Sequence, residues 1–290
     1  MLTLLAPAKL NLTLEVLSKR PDGFHEIRSI MQTINLCDSL QFKLSQSIEV
    51  KCDKPAWNLD KSLVSKVISL LKEETGCSKG VKIEINKIIP LASGLGGDSS
   101  DAATILRGLN KLWGLGLSEE RLVDLAAELG SDIPFFLYGG TALAKGRGEW
   151  LTPLPPLPRM WVVLMMPHLP QLDKKTERLY RGLSDSHYTT GEITDRLLIA
   201  LNRGEKLRAS MLFNVFEGIA GDNFAGLEEY RQSFLKAGAK EVHLAGSGPA
   251  LFSLTRDKFQ AESISKHLKE EGLECYLVDT MGAKGGQDGG

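Results

Sequence analysis

The chain has 290 residues, 42% of them hydrophobic and 24% charged, a composition that fits a globular protein of one large domain or two of average size. Its formal net charge is −1 and its sequence pI about 6.5, which leaves no global field to favour nucleic acid or an acidic membrane surface. The longest purely apolar run, Met160 to Met166, is too short to cross a bilayer, and the apolar start carries its first charge, Lys9, after the run rather than before it, so no export signal is read. The cysteines Cys37, Cys52, Cys77 and Cys275 form no close pair of the metal-ligand or redox type, and a reducing, cytoplasmic setting is expected.

In chain order, Leu10, Leu12, Leu14 and Val16 alternate with Lys9, Asn11, Thr13 and Glu15, which predicts a strand with one apolar and one polar face. A Pro-Asp-Gly turn follows in "RPDGFHEI", Arg20 to Ile27. "SLQFKL" and "VKIEINKII" read as strands; between them Leu63, Val67, Leu70 and Leu71 have helical spacing that stops at Gly76. A second helix presents Ile105, Leu106, Leu109, Leu112 and Trp113 on one face, and a third runs from Ser118 to Gly130. The four prolines between Leu151 and Met160 mark a boundary, giving an N-terminal domain at 1–155 and a C-terminal domain at 156–290. Beyond it the pattern predicts a strand at 160–166, helices between 173 and 237, two strands joined by a glycine turn in "EVHLAGSGPALFSL", a helix at 257–271 and a strand in "LECYLVD". That order is ferredoxin-like with inserted helices, and residues 282–290 are expected to be disordered.

"PLASGLGGDSSDAA", Pro90 to Ala103, places Gly94, Gly96 and Gly97 ahead of a helix expected to begin at about Ser99. Bare backbone N–H groups, close approach and the positive end of a helix dipole suit such a loop to an anion, a triphosphate for example. Ser99 and Ser100 are able to cap the helix, donate to phosphate or contact Mg²⁺; the alternative reading is simply a glycine-rich turn before a capped helix. A Walker loop is excluded because no Gly-Lys-Ser/Thr ends the run, and the dinucleotide fingerprint fails for want of a glycine at 99.

The same run resembles the phosphate-binding motif of the GHMP kinases, the galactokinase, homoserine, mevalonate and phosphomevalonate kinase group. "PAKLNLTL" at Pro7 to Leu14, "RPDGFHEI", "LGSDIPFF" at Leu129 to Phe136 and "LAGSGPALF" at Leu244 to Phe252 are similar to segments of the branch acting on 4-diphosphocytidyl-2-C-methyl-D-erythritol. The five fall in the family's order over most of the chain. The resemblance implies an α/β (α+β) two-domain fold, its N-terminal half like a ribosomal-protein fold and its C-terminal half ferredoxin-like. It also implies transfer of phosphate from ATP, with Mg²⁺, to the tertiary 2-hydroxyl of that cytidine-bearing substrate. A monomer or homodimer is expected, and the near-neutral charge balance gives no expectation of a nucleic-acid or membrane partner. ATP would lie on Pro90, Leu91, Ala92, Ser93, Gly94, Leu95, Gly96, Gly97, Asp98, Ser99 and Ser100, with Ser99 or Ser100 open to the metal.

By the same resemblance Asp132 is the candidate base and Lys9 its partner; from the residues alone Asp132 reads as a helix N-cap ahead of Pro134, and Lys9 as a solvated lysine. Asn11, two residues on, shares the face of Lys9. Phe24 and His25 stand where the family binds the cytosine, although tyrosine is more usual at 24, so a stacking ring remains and a phenol does not. Thr176 and Tyr180 resemble a segment covering the other face of the base, with Tyr180 equally readable as a core residue. Gly246, Ser247 and Gly248 match the family's third glycine motif, which unaided reads as a tight strand-to-strand turn. Two further departures are Val215, where the family often has aspartate, and Asp98, where it usually has glycine. A carboxylate aimed into a phosphate nest would cost about 4 kcal/mol at ~4 Å and an effective dielectric near 20. Asp98 is therefore expected to face solvent and help cap the helix, or else to meet the triphosphate through Mg²⁺.

Overall fold

The computed structural model describes residues 1–59 and 62–283, and the expected disordered tail lies outside them from residue 284 onward. Gly282 and Ala283, its first two residues, are described, and Ala283 bridges to Gly139. The chain forms two compact units: Met1–Ala8, Leu36–Leu91 and Gly96–Tyr138 make the first, and Lys9–Asn35, Ala92–Leu95 and Gly139–Gly290 the second. Strands β1 (Leu2–Lys19) and β2 (His25–Ser45) each supply residues to both.

In the first unit the end of β2 pairs antiparallel with β4 (Gly80–Asn86), which pairs in parallel with β3 (Ile48–Cys52). Helices α1 (Leu63–Thr75), α2 (Gly97–Trp113), α3 (Glu119–Leu129) and α4 (Ile133–Tyr138) pack together, burying Val67, Leu71, Leu106, Leu109 and Trp113 with Phe42 and Ile83. The expected Gly76 stop and Ser118 start are realised locally: Gly76 ends α1 at φ 65°, and Ser118 accepts from the Arg121 amide at the head of α3. At the head of α1 Ser62 Oγ accepts from the Val64 amide.

In the second unit the start of β2 pairs antiparallel with β5 (Thr141–Gly146), itself paired with β6 (Trp150–Leu154). β6 thus reaches into the proline-rich segment, and Pro153 sits opposite Ala142 on a strand with a single partner, where a missing N–H is tolerated. A second, wholly antiparallel sheet has the order β11 (Cys275–Asp279), β7 (Trp161–Met165), β10 (Leu251–Thr255), β9 (His243–Leu244). Numbered within itself this is 4-1-3-2, the ferredoxin-like arrangement, with α9 (Lys258–Glu270) packed on it. Helices α5 (Lys175–Gly182), α6 (Glu192–Asn202), α7 (Ala220–Asn223) and α8 (Leu227–Lys236), together with β8 (Phe213–Asn214), are inserted between its first two strands. β8 pairs in parallel with β1 at Thr13 and Leu14. The core of this unit joins Leu14, Val16 and Ile27 to Val163, Met165, Phe216, Phe234 and Ile264.

Candidate active site

Strand β1 departs from the amphipathic expectation in a way that matters for chemistry. Its polar face is as buried as its apolar one: Lys9 and Asn11 are 5% exposed, and Thr13 and Glu15 not at all. Burial of polar groups is tolerable only with partners, and each has one. Lys9 Nζ donates to Asn11 Oδ1 at 2.6 Å, Asn11 Nδ2 donates to Ser29 Oγ at 2.8 Å, and Ser29 Oγ donates to the Thr13 carbonyl at 2.5 Å. Glu15 accepts the amides of Ile193 and Thr194 at the start of α6. Lys9 is thus a held lysine on the strand, not a solvated one.

Against Lys9 lies the third glycine motif. Gly246 has φ 52°, and a Cβ there would stand 3.3 Å from Lys9 Nζ, 3.4 Å from Asn11 Oδ1 and 2.7 Å from the Gly94 carbonyl. Gly94, at φ 88°, leaves no space either: a Cβ would come within 2.0 Å of the Ala245 carbonyl. The two glycine segments abut, and the Ala250 amide donating to the Ser93 carbonyl and the Lys9 amide donating to the Leu95 carbonyl fix the arm Ala92–Leu95. Asn214 holds the other side through Nδ2 bonds to the carbonyls of Leu244 and Gly246, and Val215 beside it is buried in the core. Thr176 Oγ1 lies 3.0 Å from Ser247 Oγ, and Lys175 Nζ donates to the carbonyls of Ala92 and Gly248. Lys175 was not singled out by the sequence; it stands among charged neighbours in "DKKTER".

The turn before β2 is braced by Arg20, which pairs with Asp22 and Glu26, while Asp22 accepts the Phe24 amide. Phe24 is 51% exposed, with the Arg147 guanidinium 4.9 Å from its ring centroid. His25 rather than Phe24 meets Tyr180: their rings stack at 4.9 Å and 23°, with Tyr188 edge-on to His25 at 6.2 Å. Burial, with Lys19 adding to it, holds the His25 imidazole below its usual pKa, so the ring is neutral at pH 7 and offers one donor and one acceptor.

In the first unit α2 begins at Gly97 and not at Ser99. Gly96, at φ 75°, turns the chain, and the Ser100 amide closes the first turn on the Gly96 carbonyl at 2.9 Å. The expected cap is therefore not made: Asp98 lies inside the first turn, its side chain 58% exposed and 3.8 Å from Lys87 Nζ. The expectation that it faces solvent holds. Ser99 is partly exposed; Ser100 is buried, and its hydroxyl has no partner among the described residues. Pro90 and Leu91 lead into this run, and Asp132 directly precedes α4.

Beneath the helix start lies a cluster that sequence reasoning missed. Lys87 Nζ bonds Asp101 at 2.7 Å and pairs with Asp38 at 2.6 Å, all three side chains being almost wholly buried. Asp38 also accepts the amides of Ile88 and Ile89. Burial pushes the Asp101 carboxyl up, Asp38 adds to this and Lys87 opposes it, leaving it at about 8. Its visible signal was a lone acid in "NLCDSL" and a lone lysine in "INKIIP", single charges set among apolar residues.

The model of the GHMP kinases N terminal domain matches residues 62–140, and that of the GHMP kinases C terminal region matches 197–273. A relative from Dehalococcoides mccartyi named 4-diphosphocytidyl-2-C-methyl-D-erythritol kinase is 52% identical over 97% of this chain and 99% of its own. One of the same name from Gloeobacter violaceus is 40% identical over 96% and 94%. A crystal structure of 4-(cytidine 5'-diphospho)-2C-methyl-D-erythritol kinase superposes with a TM-score of 0.81 at 33% identity, covering 97% of this chain and all of that one. Homoserine kinase from Cytophaga hutchinsonii, at 19% identity and a TM-score of 0.75, shares the fold. With more than half of its residues identical to a relative's along almost its full length, the chain belongs to the GHMP kinase family, in the branch of the 4-diphosphocytidyl-2-C-methyl-D-erythritol kinases.

Proposed function

We propose that this small-molecule kinase transfers the terminal phosphoryl group of ATP to the 2-hydroxyl of 4-(cytidine 5'-diphospho)-2-C-methyl-D-erythritol, giving the 2-phosphate and ADP in the non-mevalonate route to isoprenoids. The names of the relatives support the substrate. The observation that carries the chemistry is Lys9: a buried ammonium, oriented by Asn11, set beside two glycine segments too close to admit a side chain. A tertiary alcohol is a crowded nucleophile, so its transfer needs a positioned base and neutralised phosphate charge. In this reading Asp132 accepts or orients the hydroxyl proton, and Lys9 stabilises charge on the transferring oxygens. Residues 90–100 hold the triphosphate. Gly246, Ser247 and Gly248 shape the wall beside Lys9.

The neutral His25 hydrogen-bonds the cytosine, whose ring takes the place beside Tyr180 that the imidazole fills here, with Phe24 and Thr176 at its edges. Mg²⁺ fits the donor chemistry of the α2 start, where Ser99 presents a partly exposed hydroxyl while that of Ser100 is turned inward. Bound there with the nucleotide, such an ion would neutralise phosphate charge. The family-model matches fall on either side of residue 155, which supports 1–155 and 156–290 as the two halves. No helix among the described residues is long and apolar enough to cross a membrane, and a cytoplasmic monomer or homodimer completes the reading.

The test is a coupled ADP-release assay across cytidyl-methylerythritol, homoserine and mevalonate. Turnover should be confined to the first; equal turnover of either other alcohol would overturn the substrate assignment.

A further inference from the structure

Lys175 stands at the head of α5, and its ammonium spans two segments of the second unit. One bond goes to the Ala92 carbonyl at 2.6 Å, on the arm leading into the glycine run; another goes to the Gly248 carbonyl of the third glycine motif. Those same segments abut at Gly94 and Gly246 beside Lys9.

Backbone strain marks both ends of the contact. Among the described residues the non-glycine positions with positive φ are Ala92, at 53°, and Lys174, at 46°. One supplies the carbonyl and the other immediately precedes the lysine. L-residues resist this region, and when they occupy it the surroundings enforce it, most often at functional sites.

The electrostatics are incomplete. An ammonium has three N–H groups, and two go to carbonyl oxygens. Among the described residues no carboxylate pairs with Lys175, and burial together with Lys9 lowers its pKa to about 7. A cation drawn out of water without a counter-ion is costly, and the missing charge is that of an anion.

We propose that Lys175 is a second phosphate-contacting lysine of this kinase, its free N–H meeting the terminal phosphate of the nucleoside triphosphate across from Lys9. The inference rests on the reading that residues 90–100 hold the triphosphate. It adds a residue that tells triphosphate from diphosphate: the contact exists only while the terminal phosphate is present, and it ends on transfer, so that ADP leaves without it.

The experiment uses the full chain with Lys175→Gln and Lys175→Arg. Glutamine keeps two N–H donors for the carbonyls and removes the charge; arginine keeps charge and donors. Affinities for a non-hydrolysable ATP analogue and for ADP, both with Mg²⁺, are measured by calorimetry beside kcat and KM. Lys175→Gln should lose about tenfold to a hundredfold in affinity for the analogue, the scale of one hydrogen bond to a charged group. Its ADP affinity should stay within about threefold, and Lys175→Arg should recover most of the loss. Equal losses for both nucleotides would make Lys175 a mere tether between loops, and no loss for either would remove it from the site; both overturn the proposal. If the unaltered chain failed to bind the analogue, the glycine-loop reading itself would fall, a result distinct from these two.

Discussion

Asp132 and Asp101 are both aspartates of the first unit, the one proposed for chemistry and the other sealed in a buried charge cluster. Asp132, directly ahead of α4, is the candidate base. Asp132→Asn should keep nucleotide affinity while lowering kcat by about a hundredfold or more, the scale of a positioned base; turnover within about threefold would leave Asp132 as a cap. Asp101 is sealed beside Lys87 and Asp38. Its folded pKa of about 8 lies above the ordinary 3.8, so its contribution to stability is present in full below pH ~4 and is lost as pH rises through 8. Asp101→Asn keeps an oxygen for Lys87 and cannot ionise. The variant should therefore gain on the wild type as pH climbs from about 5 to 8.5, each retained pK unit being worth about 1.4 kcal/mol. Urea unfolding at the two pH values measures this, and a parallel pH dependence for both proteins would show that Asp101 titrates normally.

The helix α2 shows which parts of an element can be read from a sequence. Its apolar face was visible because Ile105, Leu106, Leu109 and Trp113 repeat at helical spacing, and all are buried. Its start was misread by two residues. Serines are strong caps, so "DSS" drew the boundary to Ser99, yet the backbone is turned by Gly96 at φ 75°, and the decisive signal was a glycine conformation rather than a capping side chain. The Ser118 start of α3 was legible because its cap is a contact over three residues. Lys87 with Asp38 and Asp101 joins positions far apart in the chain, and periodicity carries no information about such pairs. The meeting of Gly94 with Ala245 is equally long-range. Gly94→Ala must place a methyl group 2.0 Å from a carbonyl oxygen at φ 88°. It should abolish detectable turnover and lower Tm, whereas Gly114→Ala, also at positive φ but with nothing within 4 Å, should lower Tm slightly and leave turnover intact. Equal effects from the two would mean that backbone strain, not the close approach, governs position 94.

Across the whole molecule the chain enters each unit more than once. The second unit draws Leu14, Val16 and Ile27 from the amino-terminal part into the same core as Val163, Phe216 and Phe234. Residues 156–290 made alone would lack these three side chains and the β1 partner of β8. Each buried aliphatic side chain is worth about 1.5–3 kcal/mol, so the loss is of the same order as a domain's entire stability, about 5–15 kcal/mol. The fragment should show helical circular dichroism without a cooperative urea transition; a sigmoidal transition close to that of the full chain would refute this.

The bonded series on β1 runs in one direction only. Lysine has hydrogens to give and none to accept, so the Asn11 oxygen must face Lys9 and its NH₂ group must face Ser29. The single Ser29 proton is then committed to the Thr13 carbonyl, where the series ends. Aspartate at position 11, almost identical in shape, would bring no hydrogen for Ser29, which could keep a bond across that 2.8 Å only by donating its own O–H to the carboxylate. The charge on Lys9 thus dictates, two links away, which way a serine hydroxyl points, and a seemingly mild exchange at Asn11 would force that hydroxyl to turn from the Thr13 carbonyl toward position 11.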